Sequence, residues 1–269
     1  MNENTEEEIK MKKKLFALPV LIILGYLSVL TVNSLSAILP LNGRTPGEIS
    51  DSFPNLFVPA GITFSIWGVI YVLLGMFVVY SSVQMFKGEA GSTPMLEEIG
   101  CLFVATCAAN IMWIFTWHYN QVALSLMSMA ILFLLLLYTS LQLHKAVSSK
   151  EFIWVKVPFG IYFGWITVAL IANITAFLVS IGWTGGAFSP EIWTSALIVV
   201  ATIIAIISLA KNFDIPYALV IIWALLGIAI KHTTFFHYEH QLILIIVSGC
   251  LTMLFASLCY AVVKTYRER

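Results

Sequence analysis

The chain has 269 residues, 60% of them hydrophobic and only 10% charged, with 14 basic and 14 acidic side chains that cancel. A soluble domain is roughly 25% charged, so there is no room for a sizeable water-soluble unit, and the neutral balance gives no handle for a nucleic-acid partner. A bilayer core about 30 Å thick takes about 20 apolar residues per helical crossing; runs of that length follow one another here with short connections, which predicts an all-α, polytopic transmembrane helix bundle.

Residues 1–14 form an N-terminal tail ending in Lys10, Lys12, Lys13 and Lys14. The apolar run Leu15–Leu39 is too long for a signal-peptide core, and no small-residue cleavage site stands before Pro40, so it is predicted as the first span. Residues 40–58, rich in Pro, Gly, Ser, Asn and acids, make a long external loop, either a cover for a cavity or a passive connection. Seven more spans are predicted at Pro59–Met85, Glu98–Trp117, Gln121–Leu143, Phe152–Ile181, Pro190–Ala210, Ile215–Ile230 and Gln241–Val263. Ser189, Pro190 and Glu191 read as N-cap, N1 proline and first-turn acid, and Asp214 with Pro216 opens the seventh span in the same way.

The positive-inside rule supports that number. Lys87, Lys145, Lys150, Lys156, Lys211, Lys264, Arg267 and Arg269 join the four N-terminal lysines on one side, and only Arg44 and Lys231 fall on the other. Both termini are therefore expected in the cytoplasm, in a multi-pass protein of the cell membrane. Cys101, Cys107, Cys250 and Cys259 show no CxxC spacing and read as small buried hydrophobes. His232, His237, His240 and Glu239 cluster at the last external connection, but their spacing matches no zinc motif, and a solvated loop is the expectation there.

Trp154, Trp183 and Trp193 lie near span ends, as interfacial tryptophans do. Trp67, Trp113 and Trp165 instead lie roughly 10–15 Å inside, at 1.5 Å of rise per residue. Each has companions on its own helix face: Trp67 with Tyr71 and Gly75, Trp113 with Asn110 and Trp117, Trp165 with Ala169 and Asn173. Asparagine amides in hydrocarbon must face the bundle interior, either as glue between helices or as contacts to a ligand. Indole and phenol faces could sandwich a flat aromatic molecule, Ala169 would leave room for it, and an amide would hold its polar edge.

At these residues the chain resembles the TspO/MBR family of tryptophan-rich sensory and translocator proteins. Pro59, Ala60 and Gly61 lead into Phe64, Trp67, Tyr71 and Gly75 on the second span, close to that family's second-helix motif. Asn110, Trp113 and Phe115 match the third-helix motif, and Tyr162, Trp165, Ala169 and Asn173 match the fifth at full spacing. Ala60 and Ile161 stand where the family carries prolines. The resemblance covers Leu15–Trp183 and implies a five-helix membrane domain (residues 15–186) followed by a three-helix extension (residues 187–269). It implies a receptor-like protein that binds a porphyrin-, haem- or sterol-like molecule between its helices, needs no resident cofactor or metal, and uses Trp67, Tyr71, Asn110, Trp113, Trp165, Ala169 and Asn173 as its site.

Two other functions stay open. Eight helices bearing Gly and Pro would suit a secondary transporter, although intramembrane carboxylates for a proton relay are missing. Enzymatic turnover of a bound tetrapyrrole is the third reading; no nucleophile–base pair, phosphate loop or nucleotide fingerprint supports other chemistry. The extension is expected to cover one side of the five-helix core, which would leave the chain a monomer in its lipid bilayer.

Overall fold

The computed structural model describes residues 3–39, 41–87, 93–144, 151–212 and 214–267, with side chains described over these stretches except 3–16, 93 and 265–267. Among the described residues the chain is all helical, and eight helices are long and apolar enough to cross a membrane. Of the residues behind the charge-sidedness argument, Lys145, Lys150 and Arg269 lie outside the described residues.

Helix α1 runs over Glu3–Ile38, so the helix extends back through most of the N-terminal tail. A short α2, Pro46–Asp51, lies in the external loop and is held by a capping box between Thr45 and Glu48. The membrane helices that follow are α3 (Ile66–Lys87), α4 (Thr93–His118), α5 (Val122–Leu143) and α6 (Val157–Ser180). The last three are α7 (Pro190–Asn212), α8 (Ile215–Thr234) and α9 (Gln241–Arg267).

The predicted spans hold, with local differences that have causes. The second begins as a 3₁₀ turn, Gly61–Ser65, and becomes α-helical only at Ile66. The fifth opens with a π turn, Phe152–Lys156, in which the Val157 N–H donates to Phe152 O five residues back. That widened turn directly precedes Pro158, which has no N–H to continue the α pattern. The tight connection from α4 to α5 is made by Asn120 in the left-handed region, at φ 54°; asparagine tolerates that conformation better than most residues. Asp214 caps α8 by accepting from the Tyr217 N–H at 3.3 Å, with Pro216 in the first turn. Burial holds the Asp214 carboxyl above its ordinary value, while that N–H and Lys156 pull the other way.

Helix α1 packs on α3 and α4, α4 on α5, α5 on α6, and α6 on α3, which closes a five-helix core. The remaining helices join it chiefly through α8 lying on α6, while α7 and α9 pack on α8 and on each other. The reason is a small-residue pair on α6. A Cβ added to Gly160 would sit 3.0 Å from Pro216 Cβ, and one on Gly164 would sit 2.9 Å from Val220 Cβ and 3.1 Å from the Tyr217 carbonyl oxygen. Glycines four apart let two membrane helices approach backbone to backbone. The Tyr217 hydroxyl then donates to Thr167 Oγ1 at 3.2 Å across the same seam. Although shortest, α8 is the most buried of the eight spans among the described residues.

All four cysteines are free. Cys107 and Cys250 are buried as expected, but Cys101 and Cys259 are exposed. They lie on outward faces of α4 and α9, where a thiol meets lipid at little cost.

Candidate functional site

Helices α3, α4 and α6 bring the three deep tryptophans into one cluster centred on Trp67. Its ring centroid lies 5.9 Å from that of Trp113 and 6.3 Å from that of Trp165. Tyr71 stacks on Trp67 at 5.7 Å, and Tyr162 meets it edge-on at 6.1 Å. Phe64, from the 3₁₀ turn, packs edge-on against Trp165 at 5.7 Å. The i, i+4 spacing on α3 and α6 and the i, i+3 spacing on α4 put these rings on the inward faces.

The rings pack on one another and leave no slot. A flat molecule sandwiched between two parallel rings needs about 7 Å between their planes, two carbon–carbon contacts of roughly 3.5 Å. The stacked pairs around Trp67 are closer than that. A ligand must lie beside the cluster rather than inside it.

Both amides singled out from the sequence are engaged by protein partners. Asn110, wholly buried, accepts from Asn33 Nδ2 at 2.7 Å and donates to the Tyr162 hydroxyl at 3.2 Å. Asn173 Oδ1 accepts from Trp113 Nε1 at 3.2 Å and from Ser125 Oγ at 2.9 Å, while Nδ2 donates to the Ala169 carbonyl at 2.9 Å. In this arrangement both join helices, α1–α4–α6 in one case and α4–α5–α6 in the other. Asn33 was not singled out from the sequence, yet it carries the signal used for the other two, an amide within an apolar run.

Beside the cluster lies a cavity of about 590 Å³ between α1 and α3, roofed by α2. Trp67, Tyr71, Trp113, Phe64, Gly68 and Asn33 are among its walls, and Glu48 and Asp51 stand at its mouth. The Tyr71 hydroxyl is buried without a hydrogen-bond partner. Behind Trp67, a space of about 30 Å³ is bounded by Trp165, Ala169 and Asn173, enough for one water. Trp165 Nε1 is likewise buried and unpartnered. Trp67 and Trp113 thus border both spaces, Tyr71 the large one, Trp165, Ala169 and Asn173 the small one, and Asn110 neither.

The roof is anchored on two sides. Toward α4, Trp117 Nε1 donates to the Pro46 carbonyl at 3.2 Å and Asn42 Nδ2 to the His118 carbonyl at 3.0 Å. Toward α8, Lys231 pairs with Asp51 at 3.0 Å, and His232 Nε2 lies 2.9 Å from the Leu56 carbonyl. Trp223 Nε1 donates to Thr63 O at 2.9 Å, and Ala60 N to Gly227 O at 3.0 Å. The backbone N–H and hydroxyl of Thr45 hold the Glu48 carboxyl below its usual value.

The histidine cluster departs from the solvated loop expected for it. Helix α8 continues past the predicted Ile230 to Thr234, so His232 lies in its last turn, fully buried under the loop. His240 Nδ1 is paired with Glu191 Oε1 at 2.7 Å. His237 and Glu239 are exposed as expected. No group of three His, Cys, Asp or Glu residues is placed to hold a metal ion among the described residues.

Comparison with known families matches the chain to the model described as TSPO-like protein, over residues 19–260. No curated protein and no solved structure matches it. The matched stretch takes in all eight membrane helices, so the last three lie within the family pattern.

Proposed function

We propose, from the premise that this chain belongs to the TSPO-like protein family, that it is a membrane receptor for a flat hydrophobic molecule of porphyrin type, held in the cavity between α1 and α3. The observation that carries the reading is that cavity: about 590 Å³, bounded by Trp67, Trp113 and Tyr71, with the buried Tyr71 hydroxyl still unpartnered. Ligand sites of this kind are mostly apolar, hold a few polar groups, and measure roughly 300–1,000 Å³. The ligand would lie against the aromatic cluster, on the faces of Trp67 and Tyr71. On the charge distribution, both termini would lie in the cytoplasm and the cavity mouth on the opposite side of the membrane.

Gly68 supplies the test, because a Cβ added there meets nothing within 4 Å. Gly68→Leu should fill the cavity and leave the helix intact. Quenching of tryptophan fluorescence by protoporphyrin IX, titrated into the full chain in detergent, is expected to weaken by about tenfold in the variant, a change of about 1.4 kcal/mol. Unaltered quenching in a variant that melts like the parent would place the ligand elsewhere.

A further inference from the structure

We propose a second site, which meets the first cavity at Asp51, where the five-helix core meets the last three helices: a cleft that binds a lipid with an ammonium-bearing head of the phosphocholine type. Two cavities share walls at Pro54, Asn55, Leu56 and Pro190. One, of about 650 Å³, is bounded by the external loop and the ends of α7 and α8. The other, of about 370 Å³, reaches between α6 and α7. These two helices barely touch, because α8 carries the contact between the halves.

The two cavities differ in chemistry as the two ends of a lipid do. The larger holds the Asp51–Lys231 and Glu191–His240 pairs. In each the carboxylate is the outer member: the Asp51 side chain is 64% exposed against 11% for Lys231, and that of Glu191 36% against 23% for His240. Lys231 and His240 stand behind, so the wall presents carboxylate oxygens, with the rings of Phe53 and Phe236 beside them. Carboxylates with aromatic faces are the surroundings that suit a quaternary ammonium. The smaller cavity is lined by Leu178, Val179 and Leu197, with Trp183 and Trp193 packed together at 5.3 Å. Tryptophans at span ends mark the depth of lipid headgroups. A head in the first cavity therefore places its acyl chain at the entrance of the second.

Native mass spectrometry of the delipidated full chain tests this, with palmitoyl-lysophosphatidylcholine as probe and palmitoyl-lysophosphatidylglycerol and free phosphocholine for comparison. One molecule of the choline lipid should be retained about tenfold more tightly than the glycerol lipid. Asp51→Asn with Glu191→Gln should abolish that preference. Thr175→Phe, which fills the apolar cavity from its wall, should weaken the choline lipid and leave free phosphocholine unaffected. Glu191→Gln alone reads the same preference where the double variant melts early. Equal retention of both lipids, unchanged by the carboxylate substitutions, means annular lipid only and overturns the site. Free phosphocholine held as tightly as the lipid, with Thr175→Phe silent, overturns the acyl-chain half of the proposal.

Discussion

An alanine at position 75 would put its Cβ 2.7 Å from the Tyr26 hydroxyl oxygen, and that hydroxyl donates to the Tyr71 carbonyl at 2.9 Å. Gly75 is thus what lets α1 bond to α3 one turn below the tryptophan cluster. Gly75→Ala should displace Tyr26 and lose that bond, for about 1 kcal/mol, read as a lower melting temperature in detergent. Combined with Tyr26→Phe the loss should be less than additive; full additivity would show that the two do not interact. Glu48 offers a pH readout. Its folded value is lowered by Thr45, so its stabilisation of α2 is complete above the unfolded value and lost as pH falls through the folded one. Exchange of the Ile49 amide, which donates to the Thr45 carbonyl, should quicken with acid over that interval beyond its intrinsic trend, and Glu48→Gln should remove the dependence. At this scale the sequence reveals which residues are costly in hydrocarbon, Asn110 and Asn173 among them, since an unpaired amide there must find a partner. It does not reveal the partner: Asn33 for one and Ser125 for the other are fixed by helix rotation, to which a single span's pattern is blind.

The seam between α6 and α8 rests on Gly160 and Gly164. Gly164→Leu would drive a side chain against Val220 and the Tyr217 carbonyl, and backbone cannot yield as a flexible side chain does. We expect a loss of about 1–3 kcal/mol in reversible unfolding in mixed micelles. Gly249→Leu on α9, where an added Cβ meets nothing within 4 Å, should be neutral and serves as the control. A Gly164→Leu variant as stable as Gly249→Leu would mean that the close approach is dispensable. Spans are legible because a lipid crossing demands a long apolar run, and the N-caps at Ser189 and Asp214 mark their starts. The 3₁₀ turn before Ile66 and the π turn before Val157 are not, because hydropathy carries no information on hydrogen-bond register.

Eight spans put the two ends of the chain on the same side of the membrane, and the basic residues, 12 against 2, predict that this side is the cytoplasm. Reporter fusions after Lys145 and after Arg269 should both read cytoplasmic; an external signal at the second would mean an odd number of crossings. The last three helices sit closer to the site than a covering layer would, since α8 anchors the cavity's roof and the start of α3. A chain truncated after Gly186 should still insert five helices but lose the partners of Asp51, Leu56, Ala60 and Thr63. Its porphyrin quenching should fall well below that of the full chain at equal helicity. Equal quenching would make α8 a bystander. The five-helix pattern is visible in the sequence because aromatic spacing carries it; the role of α8 is not, because its bonds through Trp223, His232 and Gly227 use backbone carbonyls that any residue could supply.

These bonds also set a schedule. Trp223 reaches Thr63 across 160 residues of chain, His232 reaches Leu56 across 176, and Lys231 reaches Asp51 across 180. A ribosome adding 5–20 residues per second makes the loop and then runs on the order of ten seconds before its clamp exists. Through that interval five inserted helices wait with a roof pinned to α4 alone and with the glycine face of α6 turned toward lipid or the insertion machinery. On the proposed reading, the binding-competent form exists only when the seventh crossing emerges, and a nascent chain stalled between the fifth and seventh should fail to quench with a porphyrin.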